Sequence, residues 1–152
     1  STTMMSGYQN QPEKTEEASW YDDNGERWQR MGDIGRVDEE GFVTLLGRSK
    51  DMIISGGFNI YPRDLEDALL KQPEVVDAAV IGIPSKEWGE TPLGFVVAAG
   101  GETLDLPAVC ARANAELGKT QRISVLKQLD ELPRSHIGKI LKTALRELVS
   151  ET

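Results

Sequence analysis

The pattern of apolar and polar positions changes several times along this chain, and each change predicts a different kind of structure. From Ser1 to Asn24 the residues are mainly Ser, Thr, Gln, Asn and Glu, and the apolar ones keep no sustained period. Residues 1–30 are therefore expected to be partly disordered unless something packs on Trp20, Tyr21 and Trp28; Pro12 to Ala18 could form one or two marginal helical turns. Ile34 to Val37 and Phe42 to Leu46 are short β-prone runs joined by Asp38-Glu39-Glu40-Gly41, which predicts a hairpin. Gly47-Arg48-Ser49-Lys50-Asp51 breaks the apolar pattern and reads as a linker or hinge.

Beyond the linker the pattern is mixed. Met52-Ile53-Ile54 is a short strand candidate ended by Ser55-Gly56-Gly57. Pro62 opens a helix to about Gln72, with Leu65, Ala68 and Leu69 on one face. Val75 to Ile83 and Leu93 to Ala99 are almost continuously apolar, as in strands buried on both faces. Pro107 to Leu117 predicts a second helix capped by Gly118, Ile123 to Leu129 a further strand, and Gly138 to Val149 a last helix. The expected fold class is α+β: a small three-stranded sheet with about three helices, preceded by a β-hairpin.

At 152 residues the chain is long enough for one domain and part of a second. Its 17 basic and 25 acidic residues give a formal net charge of −8, which argues against binding nucleic acid or an anionic membrane surface. The single cysteine, Cys110, excludes an internal disulfide and a cysteine-built zinc site, and the single histidine, His136, excludes a histidine cluster. No apolar run approaches the ~20 residues that span a bilayer. A cytoplasmic protein is the expectation. Neither a Gly-x-Ser-x-Gly nor a Gly-x-x-x-x-Gly-Lys-Ser/Thr motif occurs.

Three glycine-bearing segments remain as candidates for chemistry. In Met31-Gly32-Asp33-Ile34-Gly35, the Asp33 carboxylate could accept hydrogen bonds from a sugar diol, or simply cap a turn. In Gly47 to Pro62, Arg48 offers a rigid fork of donors, and Gly56-Gly57 lets backbone approach a narrow ligand; an ordinary connecting loop would read the same way. In Leu132 to Lys142, Lys139 could serve as a mobile positive charge at a helix mouth, or be a solvated lysine there.

In this order and spacing, the three segments resemble the C-terminal end of adenylate-forming enzymes of the acyl-CoA synthetase (AMP-dependent synthetase and ligase) superfamily. The resemblance runs from Gly7-Tyr8 to Glu147. Gly47-Arg48-Ser49-Lys50-Asp51 with Ser55-Gly56-Gly57-Phe58-Asn59-Ile60-Tyr61-Pro62 is most similar to fatty-acid and aryl-acid CoA ligases, and Leu132-Pro133-Arg134-Ser135 with Gly138-Lys139-Ile140 matches the family's last signature.

The resemblance implies that 1–49 is the tail end of a large N-terminal adenylation domain and 50–152 a mobile C-terminal lid. It implies nucleotide contacts by Asp33 and Arg48, a hinge at Lys50, and a coenzyme A tunnel lined by Gly56, Gly57 and Phe58. Lys139 would promote adenylation, with ATP and Mg²⁺, a small carboxylic acid and coenzyme A as reactants and no metal ligands from this chain. The missing N-terminal domain would be a partner, and the fragment alone would be inactive. Met31 replaces a usual Thr, and Gly118-Lys119-Thr120-Gln121-Arg122 lacks the usual Tyr and Pro, so the motif does not assign Lys119 or Arg122 to a coenzyme A phosphate. The alternatives are a family member with another acceptor (a carrier protein, or luciferase-like chemistry) and a non-catalytic α+β binding module.

Overall fold

The computed structural model describes residues 4–150. A short helix α1 (Pro12–Glu17) leads into a hairpin of β1 (Ser19–Tyr21) and β2 (Arg27–Gln29), then a second hairpin of β3 (Asp33–Val37) and β4 (Val43–Arg48). After a 3₁₀ turn at Ser49–Asp51 come β5 (Ile53–Ser55), β6 (Phe58–Ile60), α2 (Pro62–Leu70), β7 (Val75–Ser85), β8 (Gly89–Ala98), α3 (Leu106–Glu116), β9 (Val125–Gln128) and α4 (Lys142–Ser150). The last five strands form one sheet in the order β6-β5-β8-β7, with β9 parallel to β8.

The α+β class, the hairpin and the three helices of the larger unit agree with the sequence pattern. The sheet has five strands where the pattern predicted three: the strand candidate at Met52 to Ile54 joins it as β5, and β6 is an addition. No periodicity marks β6, whose three residues follow two glycines; Ser55 pairs with Phe58, so Gly56-Gly57 is the two-residue loop of a hairpin. The stretch expected to be partly disordered instead carries α1 and the β1–β2 hairpin, apart from residues 1–3, which lie outside the described residues. What organises it is cross-strand contact. Trp20 pairs with Trp28 across the hairpin at a ring-centroid distance of 6.5 Å. Asp22 accepts hydrogen bonds from the Glu26 and Asn24 backbone N–H groups (2.8 and 3.0 Å) and from the Trp28 indole (3.2 Å). Those donors, the Glu26 N–H foremost, hold the Asp22 carboxyl below its ordinary value.

The large sheet is covered on both faces, which explains the unbroken apolar runs. Ala78 and Val80 of β7 with Val96 of β8 join Leu65 and Leu69 of α2 and Val109 and Ala113 of α3 on one side. Ala79, Ile81, Leu93 and Phe95 join Leu132 and, from α4, Leu145 on the other. The β3–β4 hairpin differs: Val37, Phe42, Val43 and Leu45 are all more than half exposed.

Candidate functional site

The β3–β4 ladder sets Asp33 opposite Arg48. The Arg48 Nε lies 2.9 Å from the Asp33 Oδ1, and its Nη1 donates to the Met31 carbonyl at 2.9 Å. The Ser49 N–H donates to the Gly32 carbonyl at 2.8 Å, closing the base of the hairpin. Two residues that stand 15 apart in the chain thus form one charged, solvent-facing pair. Asp33 keeps a second carboxylate oxygen and Arg48 further N–H donors for a ligand carrying hydroxyl or phosphate oxygens.

Immediately beyond, the chain is anchored to α4. The Asp51 Oδ1 lies 3.2 Å from Arg146 Nη2 on α4. Between these two anchorages Lys50 is exposed, and none of the ion pairs among the described residues involves it.

Gly56 and Gly57 both have positive φ (56° and 81°), as a two-residue hairpin loop demands. Gly56 is also pressed against Trp88. Its N–H donates to the Trp88 carbonyl at 2.9 Å, and a Cβ there would sit 2.7 Å from the indole Cε3. Phe58 and Trp88, each half exposed, wall a cleft of about 310 Å³ whose lining also includes Ser55, Thr91, Lys119 and Arg122. Aromatic walls beside two cations suit a ligand that is part apolar and part phosphate. A larger open depression of about 680 Å³ lies by α1, between Tyr8, Pro12, Thr15 and Arg27, and contains none of the predicted site residues.

The glycine pair gives a contrast that can be measured. Gly56→Ala combines left-handed strain with a clash against a ring, and should cost about 2–3 kcal/mol or expel Trp88. Gly57→Ala meets no heavy atom within 4 Å and should cost only about 1 kcal/mol. Thermal melts with Trp fluorescence check both; equal losses would refute the packing role of Gly56.

Lys139 is not at a helix mouth. The predicted helix from Gly138 begins only at Lys142, because the preceding backbone is committed elsewhere. The Ser135 N–H donates to the Lys139 carbonyl and the Gly138 N–H to the Ser135 carbonyl, both at 2.8 Å, while the Leu141 N–H reaches the Pro133 carbonyl at 2.8 Å. Gly138 takes φ 80° to close this turn, and Arg134 bridges Ile140 across it. Lys139 is exposed at its end, and no ion pair among the described residues involves it. No hydrogen bond or ion pair among those residues ties Lys139 to Asp33, Arg48 or the glycine turn.

Cys110 is half-buried against the core, with Sγ 3.5 Å from the Ile123 carbonyl, and burial pushes its thiol up from the ordinary value. That disfavours a thiolate nucleophile. Sequence pattern alone missed Trp88, although an aromatic residue in the polar Lys86 to Glu90 turn between two buried strands was a usable signal. It also missed every long-range anchor described above.

Residues 64–139 match the family of AMP-binding enzyme C-terminal domains, a stretch that runs from α2 to Lys139 itself. The chain belongs to this family. Over the whole chain it is 40% identical to the long-chain-fatty-acid–CoA ligase FadD13 of Mycobacterium tuberculosis, covering 29% of that protein. It is 41% identical to a 2-succinylbenzoate–CoA ligase of Bacillus cereus, over 97% of this chain and 29% of the relative. The crystal structure of ATP-bound MatB from Rhodopseudomonas palustris superposes with a TM-score of 0.83 at 38% identity, covering 94% of this chain and 28% of MatB. The chain thus spans less than a third of the length of the relatives it matches. Family membership fits the fold as built: the matched residues take in most of the large sheet with its flanking α2 and α3, and end on the exposed lysine turn.

Proposed function

We propose that this chain works as the C-terminal part of an ATP-dependent acid–thiol ligase that joins a carboxylic acid to coenzyme A in the cytoplasm. The observation that carries the proposal is the pair of anchorages around Lys50. Arg48 and Ser49 are tied to the β3–β4 hairpin, and Asp51 is tied to α4. Rotation at Lys50 would move residues 50–152 as a lid without breaking either set of bonds, while 1–49 stay with the N-terminal domain. The exposed apolar face of that hairpin, with Val37, Val43 and Leu45, supports its packing on an N-terminal domain.

In the first half-reaction a carboxylate oxygen attacks the α-phosphorus of Mg-ATP and pyrophosphate leaves. Repulsion between the two anions opposes approach, and the Lys139 ammonium offsets it. Asp33 and Arg48 hold the ribose and phosphate oxygens. Mg²⁺ arrives with the nucleotide. In the second half-reaction the lid turns, Lys139 withdraws, and Gly56, Gly57 and Phe58 face the acyl-adenylate. The coenzyme A sulfur attacks the acyl carbon, AMP leaves, and the thiol proton passes to solvent.

Isotope exchange between pyrophosphate and ATP tests the division of labour. The longer enzyme should exchange label when given its acid and Mg-ATP, and the 152-residue chain alone should not. Exchange catalysed by the isolated chain would overturn the proposal.

A further inference from the structure

β7 is the outer strand of the large sheet, paired with β8 on one side only. An unpaired strand edge exposes backbone donors and acceptors, and here side chains, from other elements and from β7 itself, take several of them. The Val80 N–H donates to Glu66 Oε1 at 2.9 Å, and its carbonyl accepts from Lys142 Nζ at 3.1 Å. The Ala78 N–H donates to Asp77 Oδ1 at 3.0 Å, and Pro84 has no N–H. Against this edge lies the turn that carries Lys139.

One guanidinium makes the attachment. Arg134 Nη1 donates to the Gly138 carbonyl at 2.7 Å, and Arg134 Nη2 pairs with Asp77 Oδ2. Gly138 is the residue joined to Lys139 by a peptide bond, so the fork fixes the plane of the unit from which the lysine projects. A planar guanidinium presents its donors at fixed angles, so one side chain sets the carbonyl and the carboxylate in a fixed relation. Both side chains of the ion pair are partly solvated (44% and 28% exposed), and an ion pair so exposed adds little to global stability. Its consequence is orientation.

We infer that Arg134 and Asp77 are positioning residues for Lys139: a brace from β7 that aims the lysine turn for adenylation without touching substrate. The inference rests on the role proposed above for Lys139. A free turn hinged on a left-handed glycine would scatter the amine, and misplacement of a reacting charge by about 1 Å can cost up to ~10²-fold in rate.

The test uses the full-length ligase containing this chain. Arg134→Ala and Asp77→Ala should each lower kcat for adenylation about tenfold, with KM for ATP and the melting temperature little changed. Thioester formation from supplied acyl-adenylate should be unaffected, and Arg134→Lys, which reaches only one of the two acceptors, should recover part of the loss. In a Lys139→Ala background neither substitution should have any further effect. A further loss in that background would overturn the brace, as would equal loss in both half-reactions. So would a silent Asp77→Ala beside a damaging Arg134→Ala, because the guanidinium would then be acting on the nucleotide itself. Should Lys139→Ala alone slow both half-reactions equally, the role of Lys139 fails first and the brace fails with it. Where Asp77→Ala does not fold, Asp77→Asn takes its place and should show the same selectivity for adenylation.

Discussion

Lys139→Ala in the full-length enzyme should slow acyl-adenylate formation by about 10²–10³-fold, the range lost when a preorganised charge is removed from a developing anionic centre. Thioester formation from supplied acyl-adenylate should be nearly unchanged. The asymmetry follows from exposure and charge. Lys139 stands at the end of a tight turn and joins none of the ion pairs among the described residues. Its removal thus leaves no internal carboxylate unpaired, and the fold should melt as before. Lys139→Arg keeps the charge on a longer, planar head and should recover only part of the rate. Single-turnover measurements of each half-reaction decide the matter. Equal losses in both would refute the assigned role.

The largest expected effect on stability belongs to Lys142, three residues further on. Its Nζ lies 2.7 Å from Glu66 Oε1 and 3.1 Å from the Val80 carbonyl, and both side chains are only about one-fifth exposed (19% and 20%). Lys142→Met strands a mostly buried carboxylate and a strand-edge carbonyl together. It should cost about 2–3 kcal/mol, toward the lower end of what breaking a buried pair costs because some solvent still reaches it. Glu66→Gln keeps an acceptor for the Val80 N–H and should cost about 1 kcal/mol. Lys71→Met removes a pair with Glu116 of similar length, 2.9 Å, but the lysine is 65% exposed, and its loss should be small beside that of Lys142→Met. Urea midpoints at constant slope measure all three. Equal destabilisation by Lys142→Met and Lys71→Met would contradict the importance given to burial.

The site was legible in the sequence to the extent that its chemistry is local. Glycines 56 and 57 announced a backbone that bends where a side chain could not, and the structure gives them positive φ between paired strands. Asp33 and Arg48 were each singled out as oxygen-binding groups, but their pairing across the hairpin depends on ladder register and a bulge between Ile34 and Gly35. The residues around Lys139 mark its segment but do not show its setting. Helical periodicity from Ile140 onward extended the predicted helix back to Gly138, whereas hydrogen bonds to Pro133 and Ser135 hold that backbone in a turn. No periodicity marks Trp88, an isolated aromatic in a polar loop; its place between two buried strands is the only local signal.

By itself the sequence determined the element types of the large unit, the two-sided burial of β7 and β8, the hairpin before the linker and the short segments that mark the family. All of these follow from residues within a few positions of one another, through side-chain alternation, helical spacing and the backbone freedom of glycine. Only the tertiary structure decided the fifth strand, the order of the N-terminal hairpin around its tryptophans, and the ties Asp77 to Arg134, Glu66 to Lys142 and Asp51 to Arg146. Those partners lie 57, 76 and 95 residues apart, and a charge carries no record of which distant opposite charge will meet it until the sheet brings them together.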